Sequence, residues 1–395
     1  RYDDEVIVRA RLAELQSRGM TFSYEIRRAA DDALLVTGIV IAALIFWLTQ
    51  ALRSGQFPAV AILPVGFLLG GAIANDVHGK SHHATGAFCN HIGSFELMRS
   101  DGSRLICSPD RNPDYFAATA GGLGLTGLIT RVELRLKRIP GPWMDVEEIQ
   151  FEGVDEFLAL SRESESEYEY IVAWVDCASS SRGGARGIFS RGNHSHRRGE
   201  WMPPKPGPRL PIDLPGIALN PISVRLFNSL YFHKALSPRT ARTVSYEPFF
   251  YPLDAVEDWN RAYGKHGFLQ WQCVVPFKDA RDAMVEILSR IAASGMASFL
   301  SVMKTMGAQP PAGMLSFSMP GVTLALDFPA RHAAVFPLLD GLDKIVAAAG
   351  GRLYPAKDAR MSGAHFRKFY PRLEEFRPYV DPAFSSSFWR RVHKD

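Results

Sequence analysis

The hexapeptide Gly122-Leu123-Gly124-Leu125-Thr126-Gly127 restricts the fold more than any other segment. It matches the G-x-G-x-x-G spacing with which a dinucleotide-binding βαβ unit approaches a pyrophosphate. That reading requires a strand before the glycines and a helix after them. Here the order is reversed. A helical run at 114–120, with Asp110 or Asn112 near its start, precedes them, and 129–136 (ITRVELRL) follows. The latter alternates apolar and charged residues, as a half-exposed strand does. The doubly wound dinucleotide fold is rejected, while close approach of a Gly-rich backbone to another extended cofactor stays open.

The surrounding chain reads as α+β. Phe95–Met98, Asp101-Gly102 and Arg104–Cys107 form a hairpin pattern with a DG turn. Pro140-Gly141-Pro142 marks a domain boundary. Beyond it, strands are expected at 170–175 and 269–275 and helices at 280–293 and 333–349. Pro203–Pro221 holds seven prolines and follows the basic patch His194-Ser195-His196-Arg197-Arg198. Such a connection reads either as a lid or mobile loop or as an inert surface excursion.

Near the start, Ala33–Leu48 runs sixteen residues without a charge, short of the roughly 20 that a spanning helix needs. Leu34–Val40 is β-branched and reads as a strand, and 41–52 as a buried helix ending near Arg53-Ser54-Gly55. The apolar stretch 58–74 is interrupted by Pro64, Gly66, Gly70 and Gly71, so strand and loop are expected there. No signal-peptide pattern opens the chain, since 1–28 is charged and mixed.

Length and composition set the outer limits. At 395 residues two or three domains are expected. A hydrophobic fraction of 47% with 22% charged residues excludes a disordered or collagen-like chain. A net charge of +4 gives no nucleic-acid groove unless charge is clustered locally. Cys89, Cys107, Cys177 and Cys273 are too few and scattered for a disulfide scaffold or Cys-rich zinc site, and fit either redox compartment.

Three constellations carry chemistry. In GGAIANDVHGKSHH (70–83), paired glycines leave backbone N–H groups free to face an anion, and His78 and Lys80 flank Gly79. A metal on His78, His82 and His83 is disfavoured, because no carboxylate or cysteine stands at ligand spacing. The Gly122–Gly127 run is the second. The third, Gly350-Gly351-Arg352-Leu353-Tyr354-Pro355-Ala356-Lys357-Asp358, sets a phenol and an ammonium three residues apart, although a lysine so placed is also commonly solvated. Lys304, and Gln270 with Gln272 on one strand face, are polar groups among apolar ones, and the plain reading of the glutamines is an exposed sheet face.

Taken in order, GGAIANDVHGKSHH, GGLGLTGLITRVEL, WNRAYG with GFLQWQ (259–272) and GRLYPAKD resemble the decaprenylphosphoryl-β-D-ribose oxidase family. This is the flavin subunit of the 2′-epimerase for that lipid-linked sugar, within the vanillyl-alcohol-oxidase, PCMH-type FAD-binding proteins. The resemblance runs from about residue 33 to the C-terminus. It implies an α+β fold: a two-lobed FAD-binding domain plus a substrate domain with an antiparallel sheet flanked by helices. The FAD domain would comprise 1–142, atypical or shortened over 1–60, and a C-terminal return at 352–395. The substrate domain would span 143–351 and carry a mobile loop at 192–222. Non-covalent FAD would be lined by Leu68, Leu69, Gly70, Gly71, His78, Gly79, Lys80, Ser81, Ile129 and Tyr354.

By the same resemblance, Trp174, Phe250, Gln272, Lys304, Thr323 and Ala325 would face the substrate, with Lys357 and His78 catalytic. Ala325 stands where mycobacterial members carry a cysteine, Thr323 where they carry asparagine, and Phe250 where they carry tyrosine. The family's early G-R-G-R-S-Y-G-D loop has no counterpart between Met20 and Ala33, which reads TFSYEIRRAADD. The implied reaction oxidises a ribose 2′-OH to a ketone with hydride passing to flavin N5, Lys357 stabilising negative charge and His78 orienting the flavin or taking the proton. Implied partners are a lipid-linked sugar phosphate, an NAD-dependent reductase subunit and a peripheral membrane surface on the cytoplasmic or periplasmic side, in cell-wall polysaccharide synthesis; no nucleic acid is expected. A soluble sugar or alditol oxidase using oxygen, and a non-catalytic FAD-less binding subunit, are the alternative readings.

Overall fold

The computed structural model describes residues 69–394 apart from 180–182, 198–206, 216–217, 235–236, 297 and 331, and the backbone of 6–16, 19–28 and 34–43. Two antiparallel sheets organise it. The first contains β1 (Val6–Gln16), β2 (Gly19–Arg28), β3 (Leu34–Ala43), β4 (Ile92–Met98), β5 (Arg104–Cys107) and β6 (Leu128–Arg135), in the order β3-β2-β1-β6-β4-β5. The second contains β7 (Trp143–Glu152), β8 (Tyr170–Asp176), β9 (Arg186–His194), β10 (Arg239–Ser245), β11 (Phe268–Pro276), β12 (Ser301–Met306), β13 (Gly321–Pro329) and β14 (Arg352–Leu353). Its order is β10-β7-β9-β8-β12-β13-β11-β14. The mixed α+β class expected from the sequence is the one observed.

The expected hairpin is β4–β5, paired from Phe95↔Cys107 to Met98↔Arg104. The helices expected over 280–293 and 333–349 are Phe277–Ser294 and His332–Ala348. They cover one face of the second sheet, where Cys273 and Val275 of β11 and Leu324, Leu326 and Phe328 of β13 join Met284, Ile287, Leu339 and Leu342 in the main core. Strand alternation turns Gln270, Gln272, Thr323, Ala325 and Asp327 to the opposite face.

The Gly-rich hexapeptide lies between the helix Pro113–Thr119 and β6. Two of its glycines are required by packing. A Cβ at Gly122 would lie 2.1 Å from the Ala118 carbonyl oxygen, and one at Gly127 would lie 2.6 Å from that of Met98. The segment wraps the helical turn 69–74 through Gly121 N–H to Ile73 O (2.8 Å) and Leu123 N–H to Ala74 O (2.7 Å).

Two local expectations are corrected. β3 continues through Ala43, where a helix from Ile41 was expected, because Val40 and Ile41 favour a pleated strand and pair with Phe22 and Thr21 of β2. Residues 69–74 are helical rather than strand or loop. Ile73 is fully buried there, and packing outweighs the poor helix propensity of Gly70 and Gly71. The expectations for 44–68 lie outside the described residues. Among those described, no helix is long and apolar enough to cross a membrane.

After β14 the chain contacts the second sheet and the turn between β4 and β5. Tyr354 N–H donates to Gln272 O, while Asp381 accepts from Ser100 N–H at 2.8 Å and pairs with Arg99 at 3.3 Å.

Candidate active site

The site forms where the segment 75–82 lies against the polar face of the second sheet. The segment is held by Asp76, a buried residue with φ of 41°. Its carboxylate accepts from Cys89 N–H (3.0 Å) and from Ser316 Oγ (2.5 Å). With the backbone anchored from below, His78, Gly79 and Lys80 are presented to the sheet.

The sheet supplies a cross-strand row, because directly paired residues of an antiparallel ladder share a face. Trp174 of β8 pairs Val302 of β12, Val302 pairs Ala325 of β13, and Ala325 pairs Gln272 of β11. In the next row Lys304 pairs Thr323. Gln272 Nε2 donates to Thr323 Oγ1 (2.9 Å) and lies 3.0 Å from His78 Nε2. Lys304 Nζ donates to the Gly79 carbonyl at 2.5 Å. Tyr354 donates its hydroxyl to Asn75 O at 3.0 Å, and its ring, with that of Phe317, flanks the His78 imidazole with centroids 5.6 Å away.

The electrostatics follow from burial. Desolvation, then the nearby Lys304, His82 and Lys357, hold His78 well below its ordinary pKa, so the ring is neutral. Because the Gln272 amide nitrogen is a donor, His78 Nε2 accepts and the ring proton resides on Nδ1. That Nδ1 is buried and has no partner among the described residues. Burial, reinforced by Lys357 and Lys80, brings Lys304 down to about 7, and burial brings Lys80 to about 8. Lys357 is lowered by burial and partly restored by the Asp327 carboxylate. Asp327 itself accepts from Gln270 Nε2 at 2.9 Å.

The residues expected at the site distribute as follows. His78, Gly79, Gln272, Lys304, Thr323, Tyr354 and Lys357 converge, with Trp174 and Ala325 in the adjoining row. Lys80 turns to one side, donating to the carbonyls of Phe249 and Phe250 beneath their rings. Phe250 is therefore a wall of the Lys80 pocket, against Tyr170 at 4.9 Å. Ser81 caps the short helix His82–Thr85, and its hydroxyl accepts from Thr85 Oγ1. Leu69, Gly70 and Gly71 lie in the 69–74 turn, and Ile129 packs in the cluster that contains Ile73. Leu68 lies outside the described residues. His82 and His83 diverge from His78: His82 Nδ1 accepts from Gly307 N–H, and His83 Nε2 meets Tyr168 O at 2.8 Å.

Gln272, placed at the site by the resemblance although its plain reading was an exposed sheet face, meets His78 of the 75–82 segment, while Gln270 on the same strand face bonds Asp327. Phe317 and Asp327 are site residues that the sequence reading missed. Asp327 had a usable signal, since it continues the alternation Thr323, Ala325, Asp327. Phe317 had none.

A flavin nucleotide fits these residues. Among the described residues, a Cβ at Gly70, Gly71 or Gly79 would meet nothing within 4 Å, so these glycines leave room for a ligand to approach the backbone closely. Near that space stand a buried imidazole Nδ1 with no partner among the described residues, the buried Lys304 and the half-buried Lys357, the latter beside the Asp327 carboxylate. Such a donor set favours an anionic, hydrogen-bond-accepting group.

Comparison with known proteins bears on the same residues. No family model matches the chain. It is 36% identical over 343 residues to decaprenylphosphoryl-β-D-ribose oxidase of Mycolicibacterium smegmatis, covering 82% of this chain and 73% of that protein. It is 31% identical over 370 residues to an uncharacterised protein in the mprA 5′ region of Streptomyces coelicolor, covering 85% and 98%. A shorter likeness, 27% over 130 residues, links 32% of this chain to 25% of cytokinin dehydrogenase 9 of Oryza sativa subsp. japonica. Fold, site and relatives together define an FAD-dependent oxidoreductase. Within that class, the chain belongs to the decaprenylphosphoryl-β-D-ribose oxidase family.

Proposed function

We propose that this chain oxidises the 2′-hydroxyl of a ribose linked to a polyprenyl phosphate, giving the keto sugar. The observation that carries the reading is the convergence of Lys304, Lys357, His78 and Gln272 where the 75–82 segment meets the second sheet. FAD would be held without a covalent bond by the glycines at 70, 71 and 79 with His78, Ile129 and Tyr354. When bound, FAD supplies at N5 the acceptor for the hydride.

The protein's own groups do the rest. The Lys357 side chain makes no hydrogen bond among the described residues, its backbone N–H alone bonding Tyr354 O. Its amine, whose pKa burial lowers, is thus free to take the hydroxyl proton and then, as the ammonium, to bind the substrate oxygen and stabilise negative charge in the site. Removing one such preorganised donor typically costs about 3–4 kcal/mol, or ~10²–10³ in rate. His78, neutral and protonated at Nδ1, donates into the pocket rather than taking a proton at Nε2, where Gln272 already donates. Trp174, in the row that adjoins Ala325 and Gln272, walls the side from which the sugar enters.

The domain division follows the same reading: 1–142 and 352–395 form the FAD lobe, supported by the Arg99–Asp381 and Ser100–Asp381 contacts, and 143–351 roofs it. A keto product implies a separate NAD-dependent reductase if the sugar is to be epimerised for cell-wall polysaccharide. The lipid tail implies work at a membrane surface.

The test is anaerobic mixing of the flavin-loaded protein with a prenylphosphoryl ribose. The flavin band should bleach with wild type. Lys357→Met should retain flavin and fail to bleach. Bleaching at the wild-type rate in that variant would remove Lys357 from the mechanism, and no bleaching in wild type would remove the substrate.

A further inference from the structure

The helix Pro221–Phe232 is capped by Asn220, whose side chain accepts from Ile222 N–H and Ser223 N–H. Val224, Asn228 and Phe232 are its buried residues. Its other face is also apolar. Ile222, Leu226 and Leu230, spaced i, i+4, i+8, are 78%, 61% and 66% exposed, and Phe227 beside them is 48% exposed. Ile212, in the preceding stretch, is 66% exposed. An aliphatic stripe of this kind on the outside of a protein marks a contact surface.

Charge distinguishes what covers it. Residues 203–245 contain Lys205, Arg209, Arg225, Lys234, Arg239 and Arg242 against Asp213 alone, a net +5, whereas the whole chain carries +4. The remainder of the chain is thus net negative by one. Lys234, Arg239 and Arg242 pair with Glu147 or Glu148, and Arg209 with Asp258, so carboxylates outside the stretch offset four of these six cations, and Arg225 is the one that points to an anionic surface. Arg225 is exposed and lies within the apolar stripe itself. Isoleucine, leucine and phenylalanine with an interleaved arginine suit the boundary between acyl chains and anionic head groups.

The helix also stands at the approach to the site. Phe227 packs on Phe299 at 5.6 Å, and Tyr231 on Trp174 at 4.7 Å. Asn220, Pro221 and Val224 line a cavity whose wall includes Phe299 and Asp327, the carboxylate that acts on Lys357.

We infer that the outward face of Pro221–Phe232 docks this protein on an anionic lipid surface, with Ile222, Leu226 and Leu230 seated among the acyl chains. The inference rests on the proposed lipid-linked substrate and gives that reading a specific membrane-contact element. It assigns the contact to this helix rather than to the patch His194–Arg198 and Trp201, of which Arg198 and Trp201 lie outside the described residues.

Flotation of the flavin-loaded protein with phosphatidylglycerol/phosphatidylcholine vesicles tests it. Wild type should float with these vesicles, and Leu226→Glu/Leu230→Glu should bind roughly tenfold or more weakly. Arg225→Glu should lose the preference for phosphatidylglycerol over pure phosphatidylcholine vesicles. Because the substituted positions are exposed, circular dichroism should be unchanged; Leu226→Ala/Leu230→Ala, which keeps helix propensity, gives a second reading in the same direction. Vesicle binding equal in wild type and the double Glu variant overturns the inference, as does absence of binding in wild type. A wild-type dimer that the double Glu variant converts to monomer, without vesicle binding, also overturns it and makes the face an interface between copies. Turnover of a short-tailed, water-soluble prenylphosphoryl ribose separates the two proposals: wild type inactive on it yet vesicle-bound refutes the function and leaves the docking intact.

Discussion

Lys304→Met should stabilise the flavin-free protein at slightly acid pH. Lys304 is buried, and burial with its neighbours Lys357 and Lys80 lowers its pKa from 10.5 to about 7. Below pH 7 the ammonium is charged in both folded and unfolded chains, and the whole penalty of burying it is present. That penalty corresponds to a shift of about 3.5 units, or up to about 5 kcal/mol. Between pH 7 and 10.5 the unfolded chain holds the proton and the folded one does not, so stability rises with pH by up to about 1.4 kcal/mol per unit. Methionine removes the charge but leaves the Gly79 carbonyl without its donor, which costs about 1 kcal/mol. The net expectation is a gain of about 4 kcal/mol at pH 6, shrinking steadily towards pH 10. Urea unfolding of both flavin-free proteins at pH 6, 7, 8 and 9 measures this directly. A variant less stable than wild type at pH 6, or a difference that does not shrink with pH, would refute a buried ammonium at 304 that its bond to the Gly79 carbonyl does not offset.

Other consequences are equally open to measurement. Gly79→Val should fold with a normal melting temperature, since a Cβ there meets nothing within 4 Å among the described residues, yet purify with little flavin. Asp76→Ala removes the acceptor for Cys89 N–H and Ser316 Oγ and should cost about 3 kcal/mol in chemical denaturation, with flavin retention falling alongside. FAD affinity should weaken as pH rises from 6 to 8, because Lys304 beside Gly79 loses its proton near 7, and fluorescence titration reads that trend; affinity that strengthens over the range would contradict it.

Much of the fold was legible because periodicity is local. The β4–β5 hairpin, β6, β8, β11 and the two long helices follow from alternation, helical spacing and a DG turn. The short helix at 69–74 was not, because its stability comes from burying Ile73 and from hydrogen bonds received from Gly121 and Leu123, about fifty residues away. The same distinction applies at the site. The sequence identified Lys304, Lys357, His78 and Gln272 as polar residues in telling contexts, and the resemblance assigned them to one pocket. Whether Gln272 faced solvent depended on what covered the sheet, and that cover comes from His78, nearly two hundred positions earlier. Phe317, which flanks His78, sits in a run with no periodic or chemical signal.

The central claim is that the open space beside Gly71 and Gly79, with Lys357 at its edge, is a flavin site. The absorbance spectrum of the purified protein tests it most directly. The expected result is a flavin band close to one FAD per chain that denaturation releases into solution, as non-covalent binding requires. A colourless protein that added FAD fails to reconstitute would contradict it.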